Sequence, residues 1–190
     1  MGGFSYTAGM EKKFDPRHLD IARFARDSAL LEGHSALSSM TRLLDEQVAG
    51  SQPPGSVVWR LQGRLQLCAG GADQIWLDLR ASVALPLQCQ RCLTPVLETV
   101  QAERSFRFVA DEATAAALDD EAEEDILVIS RDFDALDLVE DELILSLPLV
   151  PMHDVCPQAV PMSAVDPDFA AATERPNPFG VLADLKTGQS

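Results

Sequence analysis

Basic residues are scarce in this chain: 15 Lys and Arg stand against 30 Asp and Glu over 190 residues, a formal charge of −15. The deficit is regional, because the stretch from Asp111 to Glu142 holds 14 acidic residues and only Arg131. Such a stretch repels phosphate backbones and attracts basic surfaces over about 8–10 Å at ordinary salt, which favours a basic protein over naked nucleic acid as partner. Aromatic residues are also few, at 6%, so the core must rest on Leu, Val and Ala, yet the 46% apolar content excludes a disordered chain. No apolar run reaches the roughly 18 residues of a membrane span, and the start, MGGFSYTAGMEKKFDPRHLD, lacks the apolar segment of a secretory signal. A cytoplasmic protein with no membrane contact is expected. Gly2 does not complete a myristoylation motif, since position 6 is Tyr6. Four cysteines in such a chain do not make a disulfide scaffold.

Catalytic signatures are missing as well. There is no HExxH, no GxSxG and no glycine-rich phosphate loop, so the reading is a non-enzyme without a small-molecule substrate. Carboxylates sharing one face could hold Mg²⁺ for phosphoryl chemistry, but a solvated surface is the better account of this acidic stretch.

The length suits one core. The expected organisation is a flexible leader over 1–15, in which Met10 ahead of Glu11-Lys12-Lys13 reads as a candidate natural start that would make residues 1–9 dispensable. A single α+β domain over 16–156 follows, then an Ala-, Pro- and Asp-rich linker over 157–176, and a C-terminal docking helix and tail over 177–190. Asp15 and Pro16 read as the cap and first turn of a helix over about 16–32 that ends at Gly33. A second short helix is expected over 38–48, with Met40, Leu43, Leu44 and Val48 on one face.

After SQPPGS the period becomes two. Val57, Trp59 and Leu61 alternate, as do Ile75, Leu77, Leu79, Ala81, Val83, Leu85 and Leu87, and then Val100, Ala102, Phe106 and Phe108 on a return strand. The expected fold class is α+β: an antiparallel sheet of about four or more strands, with ILVIS at 126–130 as the fourth, and an N-terminal helix pair. An acidic helix follows the sheet and a short helix closes the chain. ADEATAAALDDEAEED reads as a solvated loop or frayed helix. The acidic helix is capped by Asp134 and buries Leu136, Val139, Leu143 and Leu147, which places Glu140, Asp141 and Glu142 on the wet face. Neutralising those three acids is then expected to leave the fold intact. Arg60, Arg64, Arg80, Arg91, Arg104 and Arg107 fall on the strands, where they form a minority candidate for RNA contact.

Cys89 and Cys92 enclose two residues in LQCQRCLTPV, and His153 and Cys156 repeat that gap about sixty residues later. Zinc takes four Cys or His ligands in a tetrahedron, and a two-residue gap on a tight turn lets both side chains face one ion, so these four residues form a candidate structural zinc set. The competing account makes Cys89 a core residue on the buried phase of its strand and leaves His153 and Cys156 in a loop without metal. A redox pair fits less well, because Leu93-Thr94-Pro95 leads into more strand rather than the helix N-terminus that lowers a thiol pKa. Cys68 reads as a small buried hydrophobe.

Taken in order, CQRCLTPV, LVEDELILSLPLVPMHDVC and NPFGVLADLK resemble the bacterial YceD family of large ribosomal RNA subunit accumulation proteins, over roughly 85–186. The resemblance implies a non-enzymatic role in the synthesis, processing or accumulation of large-subunit ribosomal RNA. Its partners would be a ribosomal protein or a large-subunit assembly intermediate, with ribosomal RNA contacted indirectly. The alternative is a direct RNA binder or metal-dependent RNA-processing protein. The family's signature positions fall on Cys89, Cys92, Glu140, Asp141, Glu142, Pro148, Pro151, His153, Cys156, Asn177, Pro178 and Phe179. Of these, Glu140, Asp141, Glu142, Asn177, Pro178 and Phe179 are the expected partner-binding residues. Some relatives look as if they carry a second cysteine pair where this chain has His153 ahead of Cys156.

Overall fold

Alternating apolar residues over three long segments lead to a sheet with one buried face. The structure, a computed structural model, describes residues 14–50, 55–68, 73–119 and 122–158. Strands β1 (Leu30–Ala36), β2 (Ser56–Gln66), β3 (Gln74–Gln88), β4 (Pro95–Val109) and β5 (Asp125–Val128) form one five-stranded sheet in sequence order. The first four are antiparallel, and β5 runs parallel to β4. Helices α1 (Ile21–Arg26), α2 (Thr41–Asp45), α3 (Glu112–Asp119) and α4 (Ala135–Leu145), with a 3-10 turn at Leu37–Ser39, complete the described elements. The chain is α+β, with a mostly antiparallel sheet.

The two-residue period places the core. Val57, Trp59 and Leu61 of β2, Leu77 to Leu87 at alternate positions of β3, and Val100, Ala102, Phe106 and Phe108 of β4 are buried on one face. Against them pack Phe24 and Ala25 of α1 and Leu136, Val139 and Leu143 of α4, while α2, with its buried Leu43, packs on α4. Asp134 caps α4 as its position implies, its Oδ1 accepting from the N–H groups of Leu136 and Asp137 at 3.0 Å each. Asp111 does the same for α3, accepting from Thr114 N–H at 2.8 Å. These bonds hold its carboxyl below the ordinary value.

The N-terminal helix is corrected most. It spans only Ile21–Arg26, with Asp20 rather than Asp15 accepting at its N-terminus, and Leu30–Ala36 is the edge strand β1. Leu30-Leu31 suits either state locally, but pairing with β2 satisfies a full row of backbone groups that a continued helix would leave open. Gly33 is therefore not a helix stop. The Trp59 indole lies over it and donates to Ser35 Oγ at 2.9 Å, and a Cβ at Gly33 would sit 2.5 Å from the ring. Gly63 is constrained more severely: a Cβ there would stand 2.5 Å from the Phe24 carbonyl oxygen, so α1 rests directly on β2 backbone.

The second helix is also shorter, a 3-10 turn at Leu37–Ser39 followed by α2. The acidic Ala-rich stretch holds α3, which fills the connection between the parallel strands β4 and β5. The chain divides into two compact units, Met1–Asp154 and Val155–Ser190, and of the second only residues 155–158 are described. The expected C-terminal helix, with Asn177, Pro178 and Phe179, lies outside the described residues.

Candidate metal centre

Two adjacent strands can be joined by a short turn, and Gln88 and Pro95 are the last paired residues of β3 and β4. The six residues between them, Cys89 to Thr94, form a tight knuckle. Cys89 N–H donates to Thr94 O at 3.0 Å, and Leu93 N–H donates to Cys89 O at 2.8 Å. Leu93 takes a left-handed backbone, φ 60°, which turns the chain back into β4.

The segment leaving α4 docks on this knuckle. Gln90 N–H donates to Pro151 O at 2.9 Å, and Pro151 is buried, which brings His153, two residues on, to the cysteines. Cys92 Sγ lies 3.4 Å from His153 Nδ1 and 3.1 Å from Thr94 Oγ1. The three sulfurs of Cys89, Cys92 and Cys156 and a ring nitrogen of His153 all lie within 4.8 Å of one another. A tetrahedral zinc with Zn–S near 2.3 Å would set its sulfurs about 3.8 Å apart, so the four groups fit around one such ion.

The electrostatics of the knuckle suit thiolates. Burial pushes the Cys89 thiol up, but the N–H groups of Cys92, His153 and Arg91, together with the His153 ring, outweigh it and bring the thiol down to about 5. His153 is raised above the usual imidazole value by its bond to Cys89, with Cys92 adding to the effect against burial. Backbone donors converging on a sulfur at a hairpin turn are what a thiolate ligand requires. The same location argues against a disulfide-exchange pair, which is activated at a helix N-terminus. A Cys₃His group this close can bind a metal ion. Cys68 stands apart at the end of β2, half-exposed rather than buried, with its sulfur 3.9 Å from Gln66 O.

The acidic trio of α4 departs from the amphipathic reading. Glu140 and Glu142 are each only 6% exposed, and of the three only Asp141 faces solvent appreciably. Glu140 accepts from Leu43 N–H at 3.0 Å, while Arg42 binds Asp137 at 2.6 Å, Glu140 at 3.3 Å and Asp141. Glu142 faces Arg104 of β4 at 3.4 Å. Burial pushes the Glu142 carboxyl up; Arg104 pulls it back, and Asp125 and Asp141 add to the rise. Arg42 and Arg104, which make these contacts, carry no signal in a single sequence, since their partners lie on distant segments.

The strand arginines are also engaged. Arg60 pairs with Glu32, Arg64 with Asp78, Arg80 with Glu103, Arg104 with Glu142 and Arg107 with Glu124. Arg64 also lies over the Trp76 ring, 4.7 Å from its centroid. These pairs reduce the positive field that an RNA surface needs.

A family model described as large ribosomal RNA subunit accumulation protein YceD matches residues 77–186, a span that includes both halves of the Cys₃His group. The chain belongs to the YceD family. A protein of Haemophilus influenzae called large ribosomal RNA subunit accumulation protein YceD is 37% identical over 181 residues, covering 93% of this chain and 99% of the relative. That likeness takes in β1 and β2 as well as the segments that distinguish the YceD family. No solved structure matches the chain.

Proposed function

We propose that this protein is a non-enzymatic cytoplasmic factor required for accumulation of large-subunit ribosomal RNA. It would act by holding a basic ribosomal protein or an assembly intermediate on an acidic surface, with one structural zinc ion at Cys89, Cys92, His153 and Cys156. The observation that carries the reading is the near full-length likeness to the Haemophilus influenzae relative, whose name states that role. The charge distribution supports a basic protein as partner, with Asp141 and the acids of the β5 region outward and Glu140 and Glu142 serving the fold. The donor set supports zinc. Three sulfurs and an imidazole suit that ion, and four protein ligands leave no open position for a catalytic water. This weighs against metal-dependent RNA processing, as do the paired strand arginines against direct RNA binding.

The ratio of large- to small-subunit ribosomal RNA in cells lacking the gene tests the role. It is expected to fall on deletion and to recover when this chain is supplied; an unchanged ratio contradicts the proposal. Affinity isolation with and without ribonuclease separates the two partner classes, since a protein-held complex survives the treatment.

A further inference from the structure

The buried stripe of α4 does not account for all its apolar residues. Leu138 and Leu145, seven positions apart with Ile144 beside them, line an open groove of about 670 Å³ whose other wall is the β5 strand with Ile126 and Leu127. Leu145 is 75% exposed, an unusual state for a leucine on a helix already packed against the sheet. The groove also carries four carboxylates, Glu46, Asp125, Asp141 and Glu142, and the one cation among the described residues lining it, Arg42, is already bound by Asp137, Glu140 and Asp141. Glu142 is buried and faces Arg104 at 3.4 Å, so the accessible acids of the groove are Glu46, Asp125 and Asp141.

We infer that this groove is the docking site for a basic amphipathic helix of a protein partner. Its apolar side chains would lie on Leu138, Ile144 and Leu145, and its lysines or arginines would face Glu46, Asp125 and Asp141. The inference deepens the acidic-surface reading given above and rests on it. Charge complementarity selects the occupant: an apolar floor with acidic margins accepts a helix that is apolar on one face and cationic on both flanks, and repels nucleic acid. The positions 138 and 145 form an i, i+7 stripe, the spacing along which a second helix packs on α4.

The test uses the full chain and three labelled probes in fluorescence anisotropy. One is a peptide of about 18 Lys and Leu residues patterned at helical spacing. The second has the same composition in strict alternation, and the third is single-stranded oligouridylate. The expected result is micromolar binding of the helical peptide alone, weakened about tenfold or more by Leu145→Asp and by Asp125→Lys but not by Leu97→Asp, an exposed leucine on β4. Equal binding of the two peptides, wild-type affinity in both groove variants, or displacement of the peptide by the oligonucleotide overturns it. Should a variant fail to fold, amide shift perturbation of the wild-type chain decides: shifts centred on Leu138, Ile144 and Leu145 support the site, and shifts centred elsewhere refute it. The ribosomal RNA ratio separates the two readings. Normal accumulation on gene deletion together with peptide binding removes the accumulation role and leaves the groove, whereas full rescue by Leu145→Asp removes the groove as the working surface and leaves the role.

Discussion

Glu140 of α4 caps a helix that is not its own: its carboxylate accepts, at 3.0 Å, from the N–H of Leu43 in the first turn of α2. Met40, the residue ahead of α2, makes no side-chain cap, so this donor would otherwise be left without an acceptor. The same carboxylate meets Arg42, so one buried acid joins the two helices by a charge-assisted bond and an ion pair.

Glu140→Ala should therefore destabilise the protein by about 2 kcal/mol or more, because it leaves a buried N–H and a guanidinium short of an acceptor. Asp141→Asn, at an exposed pair, should change stability by about 0.5 kcal/mol or less. Urea titrations followed by circular dichroism check both. Equal effects would mean that the carboxylates are interchangeable.

Glu142 should behave differently from Glu140. Its carboxyl is raised above the ordinary value chiefly by burial, so the native state holds this proton more tightly than the unfolded chain does. The associated stability is fully present below the unfolded-state pKa and is lost as pH rises through the folded one. Glu142→Gln is accordingly expected to preserve or slightly raise stability at pH 7 and to reduce the gain that wild type shows on mild acidification. A marked loss at pH 7 would show that the Arg104 pair outweighs burial.

His18, at the N-terminal end of the fold, has a partner that its sequence neighbours do not reveal: Nδ1 lies 2.7 Å from Asp132 Oδ1. That bond raises the imidazole above its usual value. The pair's contribution is fully present below the unfolded value near 6.5 and fades as pH rises through the folded value. An NMR titration should find His18 above the ordinary imidazole value, and Asp132→Asn should bring it down. Coincident titrations before and after the substitution would exclude the contact.

Much of the sheet is legible in the sequence because its cause is local. Alternation over Leu77 to Leu87 places β3 and its buried face, and Asp134 marks the start of α4. What is hidden depends on distant groups. Leu30–Ala36 becomes a strand because β2 lies beside it, and Gly33 is needed because Trp59 covers it. Glu140 and Glu142 are buried because Leu43 N–H, Arg42 and Arg104 lie opposite. The cysteine spacing gives the ligand types, whereas their convergence depends on Gln90 meeting Pro151.

Gly63→Ala tests that kind of hidden constraint. The added methyl would stand 2.5 Å from the Phe24 carbonyl, backbone that cannot yield without lifting α1 from the sheet. A loss of about 3 kcal/mol is expected in chemical denaturation. A neutral result would mean that α1 shifts freely.

Zinc content of tag-free protein, measured by elemental mass spectrometry beside a native thiol titration, tests the metal centre most directly. One zinc per chain is predicted, with Cys68 the thiol that reacts without chelator. Cys92→Ser should abolish the metal and lower Tm by roughly 10 °C or more, while Cys68→Ser changes neither. Metal-free protein with all four thiols reacting freely would contradict the account.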